Sequence, residues 1–260
     1  MRKSKELNLI YVIGKGRIGT ALSLAEPSLK LIGRDYDLGD LRELASEDLI
    51  FVCTRNDSLQ SILDAIPSSS HKNVVLVQNG MLSPFIDGLE NPIAGRAILY
   101  FAVSKKGEMP KPGGNTLVCG TKAEAIAEFF KSVNIPVEIV SKEELAKVEM
   151  EKLLWNSVMG LMGEVYSEKV AQSLERWGEV EEVIGELLPV IKEDAGIAFD
   201  QERLLNSLKN YSKEVSHFEA RIKEWEWRNQ WFFDAIKRTG RSAEKWFALH
   251  KKTSFADRLI

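Results

Sequence analysis

The chain has 260 residues, 44% hydrophobic and 28% charged, with 35 basic side chains against 38 acidic ones and a formal net charge of -3. This balance excludes a disordered or fibrous chain and, without a basic block, disfavours nucleic acid as a partner. The charged amino terminus, Met1–Glu6, leads into an apolar run of only five residues, Leu9–Ile13, too short for a signal segment or a membrane span, so a cytoplasmic protein with no membrane partner is expected.

Up to residue 141, short β-branched and aromatic runs alternate with polar or helical stretches. Strands are expected at Leu9–Ile13, Leu29–Ile32, Leu49–Cys53, Val74–Val77, Ala97–Val103, Thr116–Cys119 and Val137–Val140. Helical stretches fit at Thr20–Ala25, Ser58–Ile66 and Lys122–Ser132. A mostly parallel sheet with crossover helices is the economical arrangement. Cys53 and Cys119 lie in apolar runs and read as reduced, buried thiols rather than a disulfide.

Beyond Glu143 the periodicity is helical, with interruptions near Gly178, Pro189, Gly196 and Gly240. Twelve of the eighteen glycines precede residue 141 and all six tryptophans follow it, which puts a domain boundary there. The expected fold class is therefore α/β: a Rossmann-type doubly wound sheet domain, 1–141, followed by an all-α C-terminal domain, 142–260. Glu143, Glu144, Lys147, Glu149 and Glu151 read as a solvated helix opening. The aromatic cluster Trp225, Trp227, Trp231, Phe232 and Phe233 reads as core, with a substrate mouth or a dimer seam as alternatives.

Gly14-Lys15-Gly16-Arg17-Ile18-Gly19 sits between the first strand and the first helix. In a dinucleotide-binding turn the first glycine permits the tight bend, the second lets backbone approach a diphosphate, and the third allows close helix-to-strand packing. The free N–H groups at the helix start then hold the phosphates, and all six residues are candidates for that contact. The alternative is a glycine-rich turn with no nucleotide. After the second strand, Arg34 suits a 2′-phosphate and Asp35 a free 2′-hydroxyl, so NADP is expected over NAD.

Three segments together resemble the ketopantoate reductase (2-dehydropantoate 2-reductase) family: the glycine turn with Gly33-Arg34; Val77-Gln78-Asn79-Gly80-Met81; and a pair, Glu151-Lys152-Leu153-Leu154-Trp155-Asn156 with Ser212, Glu224 and Asn229. The resemblance implies Lys152 as general acid, Asn156, Ser212 and Glu224 as groups holding the substrate, and Asn79 beside the nicotinamide and carbonyl. On a helix Lys152 and Asn156 share a face. An ammonium suits a carbonyl reduction, because it stabilises charge building on oxygen and then gives its proton, and burial in a closing cleft between the domains would lower its pKa. Glu224 would accept from a substrate hydroxyl or orient Lys152.

Twelve residues of unbroken helix would separate Ser212 from Glu224 by roughly 18 Å. A helix start is therefore expected at Ser216-His217-Phe218-Glu219, which reads as a capping box, with Ser212 in the preceding loop and Glu224 two turns inside the new helix. The chain departs from the family at Gly160-Leu161, where a second asparagine followed by proline is common, and at Ala220–Lys223, which holds no turn residue.

His71, His217 and His250 are too scattered for a metal site, and no nucleophile elbow occurs. The expected reaction is NADPH-dependent reduction of a small 2-oxo acid to the 2-hydroxy acid, with that acid as ligand and a homodimer as the assembly the helical half would support. The alternatives are a related 3-hydroxy acid or imine reductase, and an inactive NADP-binding regulatory protein.

Overall fold

The computed structural model describes residues 9–103 and 105–259, so the charged terminus Met1–Glu6 lies outside the described residues. The chain divides into two compact units between Ala146 and Lys147. The N-terminal unit is built on a seven-stranded sheet in the order β2-β1-β3-β4-β5-β8-β9. Its strands are β1 (Ile10–Ile13), β2 (Lys30–Ile32), β3 (Leu49–Val52), β4 (Val74–Leu76), β5 (Gly95–Ile98), β8 (Thr116–Cys119) and β9 (Val137–Ile139). Neighbours are parallel except for β5 against β8. The expected strand Ala97–Val103 is two strands: after β5 the chain enters β6 (Phe101–Ala102), which pairs antiparallel with β7 (Lys111–Pro112), a strand whose sequence carries no β signal.

The central strands are buried on both faces, as all four residues of β3 show, and this is why they read as continuous apolar runs. Val12, Phe51, Val75 and Val118 join Leu22 of helix α1 (Arg17–Ala25) and Ile126, Phe129 and Phe130 of α4 (Ala123–Ser132) in one cluster. Phe51 meets the rings of Phe129 and Phe130 at centroid distances of 4.8 and 5.6 Å. Two short helices complete the unit, α2 (Leu59–Ala65) and α3 (Ser83–Asp87). Helix α1 starts at Arg17, three residues before the expected Thr20, so the last three glycine-turn positions belong to its first turn. Cys53 and Cys119 are free and only half-buried; burial raises the Cys53 thiol to about 12.

Helix α5 (Lys142–Tyr166) crosses the division between the units. It opens on a reciprocal cap in which Ser141 Oγ accepts from the Glu144 N–H and Glu144 Oε2 from the Ser141 N–H. The C-terminal unit continues with α6 (Val170–Glu175), α7 (Trp177–Ala195), α8 (Gln201–Glu214), α9 (Asn229–Thr239) and α10 (Glu244–His250). In α7, Val180, Val183, Ile184, Leu187, Val190 and Ile191 form one buried stripe at helical spacing. Pro189 does not interrupt α7 as expected; the helix ends at Gly196, and α9 ends at Gly240. Trp225, Phe232 and Phe233 are core, whereas Trp227 and Trp231 are half-buried.

No helix begins at Ser216, contrary to the capping-box expectation. The Ser216 and Phe218 carbonyls instead accept the N–H groups of Ala171 and Val170, the orphan donors at the start of α6. The segment thus caps another helix, and the chain stays irregular until a short 3-10 turn at Trp225–Trp227. Among the described residues no helix is long and apolar enough to cross a membrane, and no group of three metal-ligating side chains occurs.

His250 is wholly buried: Nδ1 bonds the Trp246 carbonyl and Nε2 faces the Asn229 amide at 2.9 Å. Burial depresses its pKa from 6.5 to about 4. Because the unfolded chain takes up a proton that the fold refuses, this stability is complete above pH 6.5 and is lost as pH falls towards 4. Urea melts should lose roughly 3 kcal/mol across that window, and His250→Gln should flatten that part of the profile; an unchanged slope would exclude His250 as its source.

Candidate functional site

In the N-terminal unit the chain runs outward from β1 to β2 and then crosses to the other side of β1 to form β3, so the strand order reverses at the carboxyl ends of β1 and β3. This is the switch point at which open α/β sheets bind ligands. Gly14 occupies it with φ +116°, and a Cβ there would lie 2.9 Å from the Cys53 carbonyl oxygen. A Cβ on Gly19 would collide with the Gly14 carbonyl, so α1 can lie on its strand only without that side chain. Gly16 differs from both. Its backbone is extended, and a Cβ would meet nothing nearer than Cys53 O at 4.0 Å. Helix α1 starts there with no side-chain cap and no acidic residue in its first turn. Lys15 and Arg17 are exposed and Ile18 half-buried.

At the end of β2, Arg34 and Asp35 are exposed. Lys15 Nζ lies 3.7 Å from Asp35 Oδ1, and both would crowd a side chain at Gly33. Beyond β4, Gln78 is buried: its Nε2 donates to the carbonyls of Val52 and Thr54, and its Oε1 accepts the Val77 N–H. Asn56 Nδ2 donates to the Asn79 carbonyl at 2.7 Å, and Gly80 has φ +106°. The Asn79 side chain is left exposed on a turn fastened from both sides. Arg96 of β5 adds a third fastening, its Nη2 lying 3.4 Å from the carbonyls of Gln78 and Gly80. Burial lowers its pKa to about 9, so it stays cationic at neutral pH. Nothing in the sequence reading singled out Arg96, although a lone arginine in an apolar strand is the signal that would have found it.

In the C-terminal unit, α5 carries Lys152 and Asn156 one turn apart, with Asn156 Nδ2 donating to the Lys152 carbonyl at 2.7 Å. Asn156 Oδ1 faces Arg228 Nη1 at 3.4 Å, and Arg228 Nη2 donates to Glu224 Oε2 at 2.8 Å. The structure thus joins the side chains of Asn156 and Glu224 through an arginine that sequence reasoning missed, and Lys152 joins them by its main-chain carbonyl. The signal for that arginine is the four-residue spacing of an opposite charge from Glu224. Glu224 is not inside a helix; it lies just before the 3-10 turn, with φ +49° and ψ +53°.

Ser212 is placed differently from expectation. It lies within α8, not in a loop, and is completely buried. Its hydroxyl donates to the Leu208 carbonyl and accepts from Trp155 Nε1 at 2.9 Å. Trp155 in turn meets the Tyr211 ring edge-on at 4.9 Å. The helix that carries Ser212 ends at Glu214, and no new helix begins before Glu224. Asn229 is buried against His250.

Gly160 and Gly163 lie where the segment Ala220–Ile222 crosses α5. A Cβ on Gly160 would come 2.9 Å from the Arg221 carbonyl oxygen, and one on Gly163 would collide with that of Ala220. Arg221 Nη1 locks the crossing by donating to the carbonyls of Gly163 and Glu168 at 2.7 and 3.0 Å.

No family model and no curated protein sequence matches the chain. Solved structures do. A D-mandelate dehydrogenase in complex with NADH superposes with a TM-score of 0.72 at 16% identity, over 96% of this chain and 99% of that one. A dimeric ketopantoate reductase from Staphylococcus aureus gives 0.66 at 14%, over 96% and 99%. A ketopantoate reductase from Ralstonia eutropha gives 0.70 at 16%, over 93% and 96%. The chain therefore has the fold of these proteins, a Rossmann-type sheet domain followed by helices, as the sequence led us to expect.

Gly163→Ala should cost about 1–3 kcal/mol in urea unfolding despite alanine's helix preference, because backbone rather than a flexible side chain blocks the methyl group. Gly185→Ala is the control: it is helical with nothing within 4 Å of the added carbon, and should stabilise by about 0.5–1 kcal/mol. Equal effects would refute the packing role of Gly163.

Proposed function

We propose that the chain is an NAD(P)-dependent oxidoreductase that reduces a small 2-oxo acid to the 2-hydroxy acid, with NADPH as preferred reductant. The observation that carries this reading is Gly16. Neither its backbone conformation nor its packing requires glycine, whereas a diphosphate approaching the backbone does. The uncapped start of α1 supplies the N–H groups and the positive dipole end that such an anion needs. Gly14, Lys15, Arg17, Ile18 and Gly19 complete the turn. Lys15 engages Asp35, the group that would suit a free 2′-hydroxyl, while Arg34 stands exposed for a 2′-phosphate. The NADH complex among the structural neighbours supports the nicotinamide, and the ketopantoate reductases support a 2-oxo acid.

When bound, the reduced nicotinamide supplies the hydride to the carbonyl carbon. Lys152 gives its Nζ proton to the oxygen on which charge develops. Asn156 and Glu224 orient the acid, and the exposed amide of Asn79 binds beside the carboxamide and carbonyl. Ser212 contributes by holding the Trp155 indole, through the hydrogen bond already described. Self-association of the helical unit belongs to the same proposal, supported by the dimeric neighbour. The rival reading as a 3-hydroxy acid or imine reductase leaned on Gly160, and that glycine now has a packing reason.

NADPH consumption followed optically against a panel of 2-oxo acids, 3-oxo acids and imines tests the reading. Activity only with the last two classes would overturn the substrate class, and no activity with any would favour a regulatory protein. Lys152→Ala should lower turnover on the order of 10²–10⁴-fold with dinucleotide affinity retained; unchanged turnover would remove Lys152 from the chemistry. Arg34→Ala should weaken NADPH on the order of tenfold or more and leave NADH nearly unaffected, and equal losses for both would refute 2′-phosphate recognition.

A further inference from the structure

Arg228 stands at the entry to α9, immediately before Asn229. A cation there faces the positive end of the helix, which disfavours it, so folding of α9 does not call for an arginine. Its side chain is only 11% exposed and that of Glu224 21%. Two hydrogen bonds engage it, to Glu224 and Asn156, and its Nε is buried without a partner among the described residues. A guanidinium has five N–H donors in a planar fork, so donor capacity remains after both bonds.

The charges around this arginine define its use. Without Arg228, the Glu224 carboxylate would stand beside Asn156 uncompensated and would repel any acid held there. With it, Glu224 is neutralised by an ion pair, and the fork can bridge a second carboxylate in the geometry that guanidinium groups favour. We propose that Arg228 is a specificity-determining residue, which binds the substrate's carboxylate through the N–H donors that Glu224 and Asn156 leave unused and so selects 2-oxo acids over the corresponding 2-oxo amides. The inference rests on the oxidoreductase reading above.

The test compares the parent protein with Arg228→Met, Arg228→Lys and Glu224→Gln. For Arg228→Met the KM for a 2-oxo acid should rise on the order of 10- to 100-fold, as expected for a lost charge-assisted hydrogen bond, with kcat changing far less and the KM for the 2-oxo amide nearly constant. Arg228→Lys should recover part of the preference for the acid. A measurement independent of turnover is oxalate binding to the NADP-loaded proteins by calorimetry. Arg228→Met should weaken it by a similar factor, and Glu224→Gln, which keeps the shape and frees the guanidinium, should tighten it severalfold. An unchanged acid-to-amide preference in Arg228→Met, or oxalate bound no more tightly by Glu224→Gln, overturns the role of Arg228 and leaves the oxidoreductase reading intact. A parent protein that neither binds NADP nor reduces any 2-oxo acid overturns both.

Discussion

A methyl group on Gly19 would strike the Gly14 carbonyl, and one on Gly163 would strike that of Ala220. At both places main chain rests on main chain, and in each unit the placing of the candidate residues depends on that contact. In the N-terminal unit the contact lets α1 settle on β1, so its first N–H groups stand at the switch point of the sheet. In the C-terminal unit it lets Ala220–Ile222 lie flat on α5, which fixes the distance from that helix to Glu224 and Arg228. A side chain at Gly19 or Gly163 would displace the candidate groups of its own unit, and interiors this dense absorb such displacements poorly.

The crossing at α5 also accounts for the irregular chain between Glu214 and Trp225. Without a helix or sheet ladder, its backbone groups need partners elsewhere. Ser216 and Phe218 give their carbonyls to the first turn of α6, and the Ala220 carbonyl accepts from Arg221. The segment is thus held by the elements on either side of it. This is the condition under which Glu224 can keep a left-handed backbone conformation that a non-glycine residue ordinarily avoids.

Much of the fold was legible, because its determinants are local. Buried parallel strands write themselves as β-branched runs, and α7 writes its buried face as a repeat of three and four. What was misread is non-local. Ser216-His217-Phe218-Glu219 has the residues of a capping box, but the donors competing for its carbonyls belong to α6, some 46 positions earlier at Val170–Ala171. Ser212 reads as a hydroxyl free to meet a ligand, and the indole that occupies it comes from Trp155, 57 positions away. In the candidate site, Lys152, Asn156 and Glu224 were singled out through the family resemblance, with helical spacing putting Lys152 and Asn156 on one face. Arg228 was not, since a charged residue in a charged stretch reads as a solvated face until its burial is known.

Arg96 and Arg228 are alike in a way that bears on the chemistry. Each is a largely buried guanidinium that fastens groups proposed to meet the ligand: Arg96 holds the carbonyls flanking Asn79, and Arg228 holds Glu224 and Asn156. A planar fork suits this task better than an ammonium, because it reaches two acceptors at once in fixed directions and loses less hydration on burial. Burial lowers the Arg96 pKa only to about 9, so its charge persists through the neutral range. A fixed cation beneath a turn strengthens, in a medium of low polarisability, any interaction with an anion bound above it. The same arginine that keeps the turn rigid therefore also biases it electrostatically. For a reaction that builds negative charge on a carbonyl oxygen, rigidity and bias act in the same direction, because a dipole or charge already in place need not reorganise when the oxygen becomes anionic.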